Sequence, residues 1–238
     1  MPEDTGVRGR VMRRLSRGTA VGISVASYLA YSRLLRPWMR NWGSTEEERS
    51  MSLPGDAEVT DPALNAPRHT AIVLTATRAI TIDVPPERVW PWLVQMGYRR
   101  AGWYAFDLFD NDGIPSAEQI IPELQHLRVG EVIGEEGNAV REIEPNQHLL
   151  LSFHNPKTEW VVKAGVWPKF GDESWCWFLK PVDGGQRTRL ITRVRYARKP
   201  GIETLYWLLF EVPDLLSARK QLMGSKRRAE TATSTEVR

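Results

Sequence analysis

The sequence predicts an α+β fold in which a curved antiparallel sheet wraps around a long C-terminal helix, preceded by an N-terminal helical extension. Two observations predict it. Short segments of strand character, separated by turn residues, fill the chain between residues 129 and 196. One long segment of helical character, residues 202–228, follows them. Strands joined by short turns pair antiparallel and leave one face to be covered, and the long helix is the element that can cover it.

Composition limits the classes of protein to consider. The chain has 238 residues, of which 42% are hydrophobic, which suits one domain with an extension. Its single cysteine, Cys176, excludes an internal disulfide. The 32 basic and 29 acidic residues give a net charge of only +3, and the basic clusters at the two ends lack interleaved aromatic residues, so no nucleic-acid partner is predicted. The 10 tryptophans point to an aromatic core, pocket or interface.

An apolar run occupies residues 18–35, between basic flanks. Its length is at the lower limit for a membrane span, and three interpretations stay open: a membrane helix or interfacial anchor, a soluble helix packed on the domain, or a cleaved signal. Membrane contact through this run would make the protein membrane-associated; otherwise we expect it in the cytoplasm. Four parts are predicted: a basic tail with the apolar helix (residues 1–35), a linker (36–69), a folded domain (70–229) and a disordered tail (230–238).

The folded domain begins with a strand and a helix. Alternating apolar and polar residues predict a strand over Thr75–Val84, and Pro86 is tolerated in the first turn of the helix that follows. Pro91 lies inside that helix, and Gly97 ends it. Ser116 is a candidate N-cap for a short helix through Ile120. In the linker, Ser44 or Thr45 is placed to cap a short helix before three glutamates.

The remaining elements are strands and the final helix. Turn residues separate the strands, and the hairpin signal is clearest at Asp183–Gly185. Pro213 predicts a kink in the final helix, or two helices. The predicted strands cover residues 129–133, 139–144, 148–153, 159–166, 174–181 and 188–196.

Several segments resemble one protein superfamily. Ala79–Gly97, with the sequence AITIDVPPERVWPWLVQMG, resembles the first strand and helix of the SRPBCC superfamily, which includes START lipid-transfer domains and polyketide cyclases. Gly102–Asn111 and Ser116–Gln125 resemble a bacterial subgroup of unassigned function. Shorter matches are Ile143–Pro145, Ser174–Trp175, Thr188–Arg193, and Arg36–Trp38 with Trp42–Gly43.

The resemblance covers about Thr70 to Ala229 and implies that this part is a START-like domain with a helix-grip fold and a hydrophobic cavity. It does not imply one function, because a fold hosts many. Aromatic and short polar residues that would line the cavity or its mouth are the candidate ligand-binding set. They are Trp90, Trp103, Tyr104, Asp107, Asn111, Trp175, Trp177, Tyr206, Trp207 and Phe210.

Most of these residue types have a second interpretation. The Asp and Asn side chains after Trp103 could simply cap turns. Trp175 and Trp177 share one strand face, as pocket wall or as core, with Cys176 on the other face. The three arginines of the last strand form a solvated outer face, or one of them reaches a ligand carboxylate; they are Arg189, Arg193 and Arg195.

Three functions follow. The first is binding or transport of an apolar small molecule (a lipid, isoprenoid or polyketide-like compound) in an internal cavity. The second is a polyketide cyclase- or dehydratase-like enzyme in which Asp107 or Asp110 transfers protons and Tyr104 or an arginine polarises a carbonyl. The third is a membrane-tethered interaction module anchored by residues 18–35. The sequence has no phosphate loop, nucleophile elbow or metal-ligand spacing, so we predict no cofactor or metal and favour binding over catalysis.

Overall fold

The computed structural model describes residues 26–57, 72–134, 138–153, 173–198 and 202–236. The predicted strand at residues 159–166 lies outside them. The chain divides into two compact units, residues 1–39 and 40–238. In the first unit, described residues from 26 onward are helical, with a π-helical stretch, Tyr31–Leu35, followed by helix α1 (Arg36–Arg40). No described helix is long and apolar enough to cross a membrane.

The second unit contains the predicted antiparallel sheet. Each neighbouring pair of strands is antiparallel, and the order across the sheet is β1-β5-β4-β3-β2. This order places the first and last strands side by side, as a sheet curved around a helix requires, and the predicted fold class is confirmed. The strands are β1 (Ile72–Ile82), β2 (Asn138–Glu144), β3 (His148–Phe153), β4 (Glu173–Val182) and β5 (Arg187–Arg198).

The strand register divides the sheet into an inner and an outer face. Trp177 on β4 lies opposite Leu149 on β3 and Thr192 on β5, and all three belong to the inner face. Cys176, one position earlier, points to the outer face because side chains alternate along a strand. The predicted separation of the tryptophans from Cys176 is confirmed.

Two further helices, α3 (Pro86–Gln95) and α5 (Ile202–Glu236), belong to the layer on the inner face. α5 contacts both β1 and α3. It is one helix through Pro213, so the predicted division into two helices is not observed. Between these helices and the sheet lies a closely packed core that includes Leu93, Leu190 and Leu222, each completely buried.

Two predicted elements are absent. Val129–Ile133 is not a strand: an isolated bridge between Val132 and Ala139 and a few backbone hydrogen bonds join it to β2 without forming a continuous ladder. Ser116 does not cap a helix through Ile120, because its hydroxyl instead donates to the carboxylate of Asp107 at 2.5 Å. The nearest helical turn is the 3₁₀ turn Pro122–Leu124.

The outer face of the sheet is covered by residues 44–57, which we call the strap. Its short helix α2 (Glu46–Ser50) begins with a capping box: Thr45 accepts from the Glu48 N–H, and the Glu48 carboxylate accepts from the Thr45 N–H. Thr45 is therefore the cap of the two predicted candidates. Leu53 packs on Ala79 and Ile191 of the sheet.

Arginines of β5 fasten the strap. Arg193 donates to the Asp56 carboxylate at 2.5 Å and to the backbone carbonyls of Glu48 and Met51. Arg189 donates to the Glu48 carboxylate at 2.6 Å. Arg193 is only 4% exposed, so the prediction of a solvated face for these arginines is wrong. Their partners lie about 140 positions earlier in the chain, where the sequence pattern gave no sign of them.

Candidate functional site

The inner face carries a wall of three tryptophan rings. Trp175 and Trp177 come from β4, and their ring centroids are 4.3 Å apart. The Trp103 ring, from the loop after α3, stacks on both at 5.4 and 6.3 Å with interplanar angles of 17° and 15°. Offset stacking at these separations is favourable for aromatic rings. The structure thus brings together three of the predicted site residues.

The three rings differ in accessibility. Trp177 is completely buried, whereas Trp175 keeps a partly exposed surface. The Trp175 indole N–H donates to the Thr192 hydroxyl at 3.0 Å, so its polar atom is satisfied within the sheet. The buried indole N–H of Trp177 has no hydrogen-bond partner. Trp175 therefore offers an apolar ring surface. It lies near the N-terminal end of β4.

Tyr104 is held rigidly beside this wall. Its backbone has φ +62°, a left-handed conformation that non-glycine residues seldom adopt. Its hydroxyl donates to the Trp92 carbonyl at 3.0 Å and accepts from the Gln95 side chain at 2.9 Å. Burial raises the pKa of the phenol above its usual value. Arg228 of α5 lies over the ring, 4.3 Å from its centroid. Both hydrogen-bonding functions of this hydroxyl are thus used inside the protein.

The polar residues after Trp103 form a tight turn around helix α4 (Asp107–Asp110). Asp107 accepts from the hydroxyl and the backbone N–H of Ser116. Asn111 is completely buried and joins the backbones of Arg99 and Ile114. These contacts are turn-stabilising, as the second interpretation of these residues expected.

Asp110 is the exception in this turn. One carboxylate oxygen accepts from the Phe106 N–H, but the other, Oδ1, is buried and has no hydrogen-bond partner. Burial raises the pKa of Asp110, and the negative charge of Asp107 acts in the same direction. Asp110 therefore combines a raised pKa with a buried, unpartnered oxygen.

An open groove of about 680 Å³ lies between this turn and α5. Tyr104, Asp107 and Ser116 form part of one side. The turn approaches α5 closely at Gly224, where a Cβ atom would lie 2.5 Å from the Tyr104 carbonyl oxygen. The helix side is lined by apolar and basic residues: Leu216, Arg219, Lys220, Met223, Gly224, Arg227 and Arg228.

Two other predicted aromatic residues have described side chains. Trp90 is partly buried against the inner core. Phe210 on α5 is 41% exposed. Tyr206 and Trp207 fall on α5, but their side chains lie outside the described part of the structure.

The structure gives little support for catalysis or metal binding by the cysteine and the described histidines. Burial raises the pKa of the Cys176 thiol to about 12, which removes its nucleophilic thiolate at neutral pH. His148 bonds to Glu142 at 2.9 Å on the outer side of the sheet. His69 and His154 lie outside the described residues. Within the described ranges, no group of three His, Cys, Asp or Glu side chains could hold a metal ion.

Two buried polar residues were not predicted. Arg78, on the inner face of β1, is 2% exposed and pairs with Asp214 of α5 at 2.5 Å. Gln221 of α5 is 3% exposed, and its side-chain oxygen has no hydrogen-bond partner. A signal for Arg78 was available, because an arginine in phase with Ile80 and Ile82 must lie on the apolar face of the strand.

Comparisons with known proteins give structural neighbours only. No family model matches the chain, and no curated protein matches its sequence. Similar solved structures include DynU16 from the dynemicin biosynthetic locus, with 13% identity and a TM-score of 0.37 over 63% of this chain and 46% of that one. This chain therefore spans less than half the length of DynU16.

Two aromatase/cyclases are also similar in structure. The Zhui aromatase/cyclase from Streptomyces sp. R1128 has 15% identity and a TM-score of 0.38 over 67% of this chain and 94% of that one. The di-domain aromatase/cyclase BexL from the BE-7585A pathway has 15% identity and a TM-score of 0.40 over 67% and 47%. TM-scores below 0.5 carry no argument, so the fold assignment rests on the strand order and the helices described above.

Proposed function

We propose that the chain binds an apolar small molecule against the Trp103–Trp175 side of the inner wall. The observation that carries this proposal is the partly exposed face of Trp175, whose N–H is already bonded to Thr192. A ring so placed offers apolar surface with no polar atom to satisfy. Covering it with a ligand is worth about 25 cal/mol per Å² of apolar area removed from water. A lipid, isoprenoid or polyketide-like compound fits this chemistry.

Native mass spectrometry tests the proposal. The full-length protein, purified from its own host, is expected to carry an apolar molecule that organic extraction removes. Trp175→Leu, which removes the stacking face but keeps an apolar side chain, is expected to lower the bound fraction severalfold. Phe178→Leu is the matched control, because Phe178 lies on the outer face of the same strand. Equal occupancy in both variants, or none in the wild type, would count against the proposal.

A second candidate function, a cyclase- or dehydratase-like enzyme, is favoured by one observation. The unpartnered Oδ1 and raised pKa of Asp110 suit a carboxylic acid that donates a proton. The supporting groups are weaker, because the Tyr104 hydroxyl and Asp107 are engaged in internal hydrogen bonds.

Stability measurements on Asp110→Asn address this candidate. An acid whose folded-state pKa is raised destabilises the protein at neutral pH, and that penalty disappears as pH falls through the raised value. The variant is therefore expected to be more stable than the wild type at pH 7 and equal to it in acid. A variant with no stability gain at pH 7 would remove the observation on which the enzyme candidate rests.

A further inference from the structure

One surface of the second unit exposes large apolar side chains on a rigid turn. Leu108 and Phe109, in helix α4, are 73% and 83% exposed. The turn is held by the bonds of Asp107 to Ser116 and of Asp110 to the Phe106 N–H. Several hydrogen bonds thus hold two apolar side chains in contact with solvent. Their exposure to water is unfavourable unless another molecule covers them.

The neighbouring helix presents a matching stripe. Val212, Leu216 and Met223 on α5 are 44%, 49% and 49% exposed. Their successive spacings of four and seven positions keep them on one side of the helix. The exposed cations between and after them are Arg219, Lys220 and Arg227.

The turn and the stripe form one continuous surface. Lys220 Nζ lies 4.1 Å from the centre of the Phe106 ring, directly before α4. Phe106, Leu216 and Lys220 all line the same open groove. The apolar turn and the basic stripe can therefore meet one partner at the same time.

The cations of the stripe keep charge available for a partner. Among the described residues, neither Arg219 nor Lys220 has a carboxylate within ion-pair distance; Arg219 lies over the Trp42 ring instead. Arg227 pairs with Glu118, but their side chains are 61% and 59% exposed. Each carboxylate of the turn has an internal partner for at least one oxygen: Asp107 and Asp110 accept internal hydrogen bonds and Asp112 pairs with Arg99.

We propose that this surface docks on an anionic lipid bilayer, with Leu108 and Phe109 entering the apolar edge of the bilayer and Lys220, Arg219 and Arg227 facing lipid phosphates. Apolar side chains beside cations are the combination that an interfacial protein surface needs. The proposal does not depend on the bound small molecule, and it names residues other than those of the apolar run 18–35.

The test is sedimentation of the full-length protein with vesicles. The wild type is expected to bind vesicles of phosphatidylserine and phosphatidylcholine, less so at high salt, and to bind phosphatidylcholine vesicles weakly. The double variant Leu108→Ser/Phe109→Ser is expected to bind at least about tenfold more weakly, because both side chains leave water on docking. Lys220→Gln is expected to lose about fivefold, as one cation near an anionic surface contributes.

A matched control uses another exposed apolar and basic pair. Val129 is 61% exposed and follows the exposed Arg128, so Arg128→Gln/Val129→Ser changes one exposed cation and one exposed apolar residue that belong to neither the turn nor the helix stripe. This control is expected to bind like the wild type. Unchanged binding by Leu108→Ser/Phe109→Ser would place the membrane contact elsewhere and overturn the proposal. A wild-type protein that does not sediment with vesicles would also overturn the proposal. A protein would then be the alternative partner for this surface.

Discussion

The two faces of the sheet are shielded from water by opposite kinds of contact. The inner face is covered by helices that pack on apolar residues such as Leu149 and Trp177, both completely buried. The outer face is covered by the strap, whose contacts include the buried ionic groups Glu48 and Arg193, each 4% exposed. Both faces exclude water, but only the inner one does so mainly through apolar packing.

The difference shows how each face is specified. Apolar side chains can pack against one another in several arrangements. A guanidinium that donates to several oxygens instead fixes the position of its partner. Arg193 meets one carboxylate and three backbone carbonyls of the strap. We therefore infer that the strap has one position on the sheet, whereas the apolar contacts of the inner layer can adjust more readily.

The largest effect is expected when the outer network loses its central cation. Arg193→Leu removes the guanidinium that pairs with the Asp56 carboxylate and donates to three strap carbonyls. Removing one member of a buried pair typically costs about 3–5 kcal/mol. Urea unfolding of the full-length protein measures this loss. Arg187→Leu is the control, because the Arg187 pairs with Asp83 and Asp183 are exposed and contribute little to stability. Equal losses would mean that the strap is held by its apolar contacts alone.

A somewhat smaller loss is expected from a cavity on the inner face. Leu149→Ala removes a completely buried side chain opposite Trp177 and should cost about 2–4 kcal/mol in the same urea experiment. If the inner layer adjusts as inferred, the tryptophan rings will close part of this cavity, and the cost will fall near the lower end. A loss larger than that of Arg193→Leu would reverse the contrast between the faces.

The smallest effect is the pH dependence that Glu48 of the strap contributes. Burial acts to raise the pKa of Glu48, but hydrogen bonds from Arg189 and Thr45 outweigh it and leave the pKa below its ordinary value of 4.5. A carboxyl whose folded-state pKa is lowered stabilises the protein above the unfolded value, and that contribution disappears as pH falls through the folded value. Stability should therefore decrease in acid below about pH 4.5. The decrease should be shallower in Glu48→Gln, and a parallel decrease would assign it to other carboxylates.

The inner layer of this fold could be predicted from the sequence because its signals are local. Alternation along β4 placed Trp175 and Trp177 on one face, and the helical stretch after residue 202 supplied the cover. The loop that carries Trp103 was also singled out. Its stacking on β4 could not be predicted in detail, because it depends on the positive φ of Tyr104 and the bridge between Gly97 and Gly102.

The outer layer could not be predicted because its signals are distant from one another. The Thr45–Glu48 capping box was visible, but it indicates only a short helix. Arg189 and Arg193 alternate with apolar residues, which in a single sequence is the pattern of a solvated face. Only the folded chain shows that their partners are Glu48 and Asp56.

The strap also has a consequence for synthesis on the ribosome. Glu48 and Arg189 are 141 positions apart, so the strap is made long before the strand it covers. At about 5–20 residues per second, the delay is on the order of 10 s. During that time the glutamate-rich helix must remain soluble and unpaired, which its charge allows. Completion of β5 then closes the longest loop of the outer layer, so we expect the strap to dock among the last events of folding.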